Sequence, residues 1–178
     1  MRARRCTIVR WNDGRALARP FYTVHMLAAA LALQLTTVLV FTTTDCPISN
    51  RYAPEIQRLA KKFGGARFVM VYPVASDTAE LIDAHREKFG YTIDFVRDET
   101  HELVKKTGVT VTPEVAVMKE GRLMYRGRID DRYADFGKDR PQPTVRDLER
   151  SLDAIINGRP VPVAATRAIG CILSDLIK

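Results

Sequence analysis

The chain has 178 residues and a mass of 20.1 kDa, room for one ordinary domain. Its 46% hydrophobic and 28% charged residues describe a globular protein with a core. They exclude collagen, low-complexity disorder and a multi-span membrane protein. The net charge of +7 is unevenly placed: six of the 28 basic residues and one of the 21 acids lie in residues 1–19. The remaining chain is close to balanced, so the pI of about 9.5 gives no argument for nucleic-acid binding.

The N-terminal segment, residues 1–35, reads as a basic and apolar extension. Arginines precede the stretch Phe21–Leu35, the order of a signal or anchoring segment. The length of the charged region, Asp13, His25 and Gln34 fit a folded segment instead, such as an extra strand. The balance of these features favours a folded segment, and with it the cytoplasm over the cell envelope.

From Thr36 the punctuation is regular. Thr36–Thr42 is β-branched and apolar, a buried strand. A helix follows over Pro47–Phe63, closed by Gly64-Gly65. Ala66–Val74 is a second buried strand, and Ser76 or Asp77 caps a helix that runs to Phe89 and ends at Gly90. Tyr91–Val96 is a short strand and Glu99–Thr107 a short helix. Glu114–Lys119 and Leu123–Arg128 form a hairpin across Glu120-Gly121. Ala134–Pro143 is a long loop, and Thr144–Asn157 the last helix, with Thr144 as its cap. Strands alternating with helices imply a three-layer α/β domain over 36–158, its central strands parallel and the late hairpin antiparallel. Residues 159–178 form a tail that Pro160 and Pro162 keep extended.

Three cysteines, Cys6, Cys46 and Cys171, are too few for a disulfide framework or a cysteine-rich zinc site. Cys46 directly follows the first strand and precedes a helix with Pro47 in its first turn. A thiol there faces unpaired helix amides, which favour the thiolate. Ser49 can add a hydroxyl donor, while the Asp45 charge opposes the shift. The bland alternative is a half-buried structural cysteine.

The run FTTTDCPISNRYAPEI resembles the active-site region of the thioredoxin-like superfamily, with Pro54 where that family kinks its helix. Val111-Thr112-Pro113-Glu114 is similar to its cis-proline loop. Ser49 stands where the dithiol motif has its second cysteine. The chain looks closest to the redoxin branch, which includes alkyl hydroperoxide reductase and thiol-specific antioxidant proteins. Thr43 matches the threonine of the peroxiredoxin motif, whereas Leu39 replaces its proline. The family's arginine has no clear counterpart, Arg126 and Arg128 being candidates.

The resemblance implies a thiol-dependent redox enzyme with Cys46 as nucleophile, Thr43 and Ser49 orienting the thiolate, Pro113 shaping the pocket and Arg128 a candidate donor. It implies a small peroxide or a protein disulfide as substrate, an external thiol as reductant and no cofactor, and it admits a homodimer. Similarity to two-cysteine peroxiredoxins gives Cys171 a resolving role, against a packing role beside Ile169, Ile172 and Leu173.

Other features weigh less. A copper-delivering role would need a cysteine at position 50, which is Asn50. His85 and His101 have no ligand-spaced partner, and no metal site or phosphate loop is expected. A non-enzymatic binding module that uses Arg126–Tyr133 as its contact surface is the alternative function.

Overall fold

The computed structural model describes residues 36–173. The expectations for Cys6 and the N-terminal extension lie outside the described residues. A five-stranded sheet has the order β3-β2-β1-β5-β6. Strands β1 (Thr37–Phe41), β2 (Arg67–Tyr72) and β3 (Asp94–Arg97) run parallel. β5 (Glu114–Lys119) pairs antiparallel with β1, and β6 (Arg122–Gly127) closes the hairpin on β5.

The period of two along each strand builds two cores. Val38, Val40, Phe68, Met70, Tyr72, Val115 and Val117 face one side. They pack with Ile56 and Leu59 of α2 (Ala53–Lys62), Ile82 of α3 (Ala79–Phe89), and Leu148, Leu152 and Ile155 of α5 (Asp147–Ile156). Leu39, Phe41, Val69, Val71 and Ala116 face the other side, under Val104 of α4 (Glu102–Thr107) and Leu173 of the tail. The result is the three-layer thioredoxin-like architecture expected. No helix among the described residues is long and apolar enough to cross a membrane.

Several local expectations change. The helix expected over Pro47–Phe63 is two: α1 (Pro47–Arg51) and α2, divided at Tyr52. Pro54 has no N–H to donate to the Asn50 carbonyl, so the ladder breaks there. The cap of α3 is Thr78, whose Oγ1 accepts from Leu81 N, because the Asp77 carboxylate is used elsewhere. Thr144 does not cap α5 but bonds Asp131 together with Val145, and the helix starts at Asp147. The long loop contains a small hairpin, β7 (Tyr133–Asp135) with β8 (Lys138–Asp139). Finally, β4 (Val111–Thr112) pairs antiparallel with β9 (Cys171–Ile172) of the tail, a ladder that local patterning cannot reveal.

Candidate active site

Cys46 ends the loop after β1 and is the N-cap residue of α1, in extended backbone geometry. Its side chain is 1% exposed. Two hydrogen bonds fix the preceding loop on one side: Thr44 Oγ1 donates to Asp77 Oδ1 at 2.5 Å, and Thr44 N approaches the same carboxylate at 3.4 Å. Across from Cys46 lies the Thr112–Pro113 peptide, which is cis. The Thr112 carbonyl sits 3.1 Å from Cys46 Sγ, a contact that only the protonated thiol can use as a donor.

The tail supplies the other sulfur. It crosses the outer edge of the hairpin, where Arg126 N donates to Ala164 O and Thr166 N to Arg126 O, each at 3.0 Å. Thr166 Oγ1 accepts from Arg128 N at 3.1 Å and meets Tyr125 OH at 2.7 Å, and Tyr125 OH donates to Arg128 O. Those three groups close a ring of hydrogen bonds on the tail. Gly127, at φ +145, lies so close to Thr166 that a Cβ would overlap it. Farther on, Gly170 passes over the Thr112 carbonyl with no room for a Cβ. Cys171 then pairs with Thr112 and Leu173 N donates to Thr110 O at 3.1 Å. This path brings Cys171 Sγ to 2.7 Å from Cys46 Sγ, both being unbridged thiols.

The pair is electrically asymmetric. Burial opposes ionisation of Cys46, but the neighbouring polar groups of Cys171 and Ser49 outweigh it and hold its pKa below the ordinary 9.0. The Ser49 oxygen is buried with no fixed partner of its own. Cys171 moves the opposite way: burial, its bond to Cys46 and the charges of Cys46 and Asp45 push it up. Asp45 therefore bears on Cys171, whereas the sequence suggested that it would oppose Cys46. Of the two sulfurs, Cys46 is therefore the more easily ionised, and Cys171 is the one placed to hold the proton when Cys46 gives its own up.

The other expected residues divide. Ser49 and the cis Pro113 are at the sulfurs. Thr43 is buried but is not among the groups acting on Cys46. Arg128 donates from Nε to Asp147 Oδ2 at 2.7 Å, and Arg126 pairs with Glu114 at 3.4 Å; neither is among the groups acting on Cys46. The Arg126–Tyr133 segment is not the open contact surface of the alternative reading. Ile129, Asp130, Asp131 and Tyr133 are buried: Ile129 and Tyr133 join the core, while Asp130 accepts from Tyr52 OH at 2.6 Å and Asp131 from Thr144 and Arg140.

Sequence reasoning passed over Asp77 as an anchor, Gly170 as the crossing point and the side chain of Asn50. The glycine beside Cys171 is the one local signal for the crossing. No group of three or more His, Cys, Asp or Glu that could hold a metal ion occurs among the described residues.

Comparisons with known proteins agree with the fold. The model of the AhpC/TSA family matches residues 27–128. An uncharacterised conserved protein from Geobacillus kaustophilus is 28% identical, with a TM-score of 0.68 over 79% of this chain and 77% of that one. A hypothetical protein from Sinorhizobium meliloti is 24% identical, again with a TM-score of 0.68, over 82% of each chain. DsbF of Mycobacterium tuberculosis, solved in mixed oxidised and reduced forms, is 20% identical with a TM-score of 0.52, over 70% of this chain and 84% of that one. No curated protein matched.

Proposed function

The chain belongs to the AhpC/TSA family, and on that premise we propose that it works as a two-cysteine thiol oxidoreductase, with Cys46 as nucleophile and Cys171 as resolving thiol. The family supports a thiol redox enzyme that acts on thiol or disulfide substrates with a reductant partner. The finer reading is carried by one observation, the 2.7 Å approach of Cys171 to Cys46 along the β4–β9 ladder.

In the proposed cycle the Cys46 thiolate attacks one sulfur of a substrate disulfide. The S–S bond breaks, a mixed disulfide forms on Cys46, and the departing thiolate takes the proton of Cys171. The Cys171 thiolate then attacks Cys46 Sγ and expels the second substrate sulfur as a thiolate, which takes its proton from solvent. The substrate gains two electrons and the protein carries the Cys46–Cys171 disulfide, which an external thiol reduces. With a peroxide, the same thiolate would attack oxygen to give a sulfenic acid and the leaving alcohol or water, and Cys171 would displace the hydroxyl as water. Donors at the leaving oxygen assist that route. Arg126 and Arg128 are committed to Glu114 and Asp147, so disulfide exchange is the reading that the geometry serves better.

The test mixes reduced protein with one equivalent of either a disulfide peptide or hydrogen peroxide. Cys171→Ser should trap the peptide on Cys46, and faster than peroxide oxidises it; Cys46→Ser should react with neither. Faster reaction with peroxide would overturn the preference for disulfides. Equal turnover by Cys46→Ser would overturn the nucleophile itself.

A further inference from the structure

Beneath the Cys46 loop runs a chain of hydrogen bonds that the cycle above does not use. Asn50 lies on α1, one turn after Cys46, and its backbone N–H donates to the Cys46 carbonyl at 3.0 Å. Its side-chain Nδ2 reaches back to the carbonyl of Thr44 at 3.3 Å. Asn50 Oδ1 meets His85 Nε2 at 2.7 Å, and His85 Nδ1 meets Tyr72 OH at 2.9 Å.

Only one assignment satisfies every group. Nδ2 must donate to the carbonyl, so Oδ1 faces His85, whose Nε2 therefore carries the hydrogen. Nδ1 is then the acceptor, and the Tyr72 hydroxyl donates to it. Tyr72 is 0% and His85 4% exposed. The His85 ring is enclosed by Tyr72, Phe89 and Tyr91, with Asp77 and Lys88 the charges that act on it. A rigid core position on β2 and α3 is thus connected, through one amide, to the loop that presents the nucleophile.

We infer that Asn50 and His85 are positioning residues for Cys46: His85, fixed by Tyr72, orients the Asn50 amide, and Asn50 ties down Thr44 so that the loop keeps the sulfur against its donors. With Asp77 on the amide and hydroxyl side of Thr44, the Asn50 bond completes a two-sided clamp. The inference rests on Cys46 being the nucleophile, but its test needs no substrate.

Alkylation of Cys46 by iodoacetamide, followed against pH and assigned by peptide mapping, reads the thiolate directly. Asn50→Ala and His85→Leu should each slow alkylation at pH 7 by about three- to tenfold and raise its pH midpoint by about half a unit. The double variant should equal Asn50→Ala alone, because His85 acts through that amide. His85→Gln, which offers a donor and an acceptor on one planar group, should recover most of the rate.

A merely structural loss would open the buried site and speed alkylation, the opposite sign. An unchanged rate in Asn50→Ala, or effects of the two single variants that multiply in full, would overturn the inference. Should His85→Leu fail to fold, Asn50→Asp decides, since it keeps the acceptor for His85 and loses the donor to Thr44. A rate as slow as that of Asn50→Ala supports the clamp, and a wild-type rate refutes it. None of these readings depends on whether a Cys46–Cys171 disulfide forms, so failure of the redox cycle is seen separately.

Discussion

At the scale of single residues the two sulfurs differ by what donates to each. Cys46 has the Cys171 sulfur and the polar groups of Ser49 beside it, which favour its ionised form, whereas burial, Cys46 and the charge of Asp45 push Cys171 up. Replacement of Cys171 by Ser keeps a donor, and replacement by Ala removes it. The alkylation midpoint of Cys46 should therefore be higher in Cys171→Ala than in Cys171→Ser, by about half a unit or more. Equal midpoints would mean that Cys171 contributes no bond to the thiolate. Because the Cys46 pKa is lowered, its reactivity should persist as pH falls below the range in which free cysteine loses its thiolate.

At the scale of elements the tail works because two crossings are narrow. Gly170 allows β9 to lie on the Thr112 carbonyl, and Gly127 admits Thr166. A methyl at Gly170 has only backbone to meet, so Gly170→Ala should lift β9 from β4. Formation of the Cys46–Cys171 disulfide should then slow by about tenfold while α5 and the sheet stay intact by circular dichroism. A wild-type rate of disulfide formation would show that the ladder does not set the approach.

The same scale shows how far the sequence could be read. The strands Thr37–Phe41 and Arg67–Tyr72, the hairpin across Glu120-Gly121 and the cysteine before a helix are all local patterns, visible in a single window. The cis Pro113 loop was visible by resemblance. The β4–β9 ladder was not, since its two-residue strands carry no period and depend on a partner about sixty residues away. Ser76, Asp77 and Thr144 all read as caps in the sequence, because a residue just before a helix has the same composition whether it bonds the helix or a distant loop. Asn50 gave no signal of this role, as its side-chain partners come from α3 and the site loop.

At the scale of the whole molecule, one face of the sheet buries the larger of the two cores. Leu148, Leu152 and Tyr125 are 0% exposed in the larger core. Leu152→Ala should cost about 2–5 kcal/mol, measured by denaturant unfolding, and a loss below 1 kcal/mol would mean that α5 is looser than drawn.

Acid acts on the same body in two stages. Burial lowers the pKa of His85 below its ordinary 6.5, so the unfolded chain takes up a proton that the folded chain refuses. Stability should be full above that value and decline as pH falls below it. Asp131 and Glu149 are held at about 2 by their donors, and their contribution fades only at pH values below those of ordinary carboxylates. A thermal midpoint measured from pH 8 to pH 4 should be flat and then fall, and His85→Gln should remove the upper part of that fall. A profile unchanged by that substitution would contradict the assignment.

The central claim is that Cys46 and Cys171 form one redox couple. Equilibration of the full chain in thiol–disulfide buffers of graded potential, with the products mapped as peptides, tests it most directly. The account predicts a single two-electron transition in which two hydrogens are lost and the only new linkage joins Cys46 to Cys171, while Cys171→Ser shows no such intramolecular product. A linkage that involves Cys6 instead, or a Cys46 that stays reduced across the whole range, would contradict it.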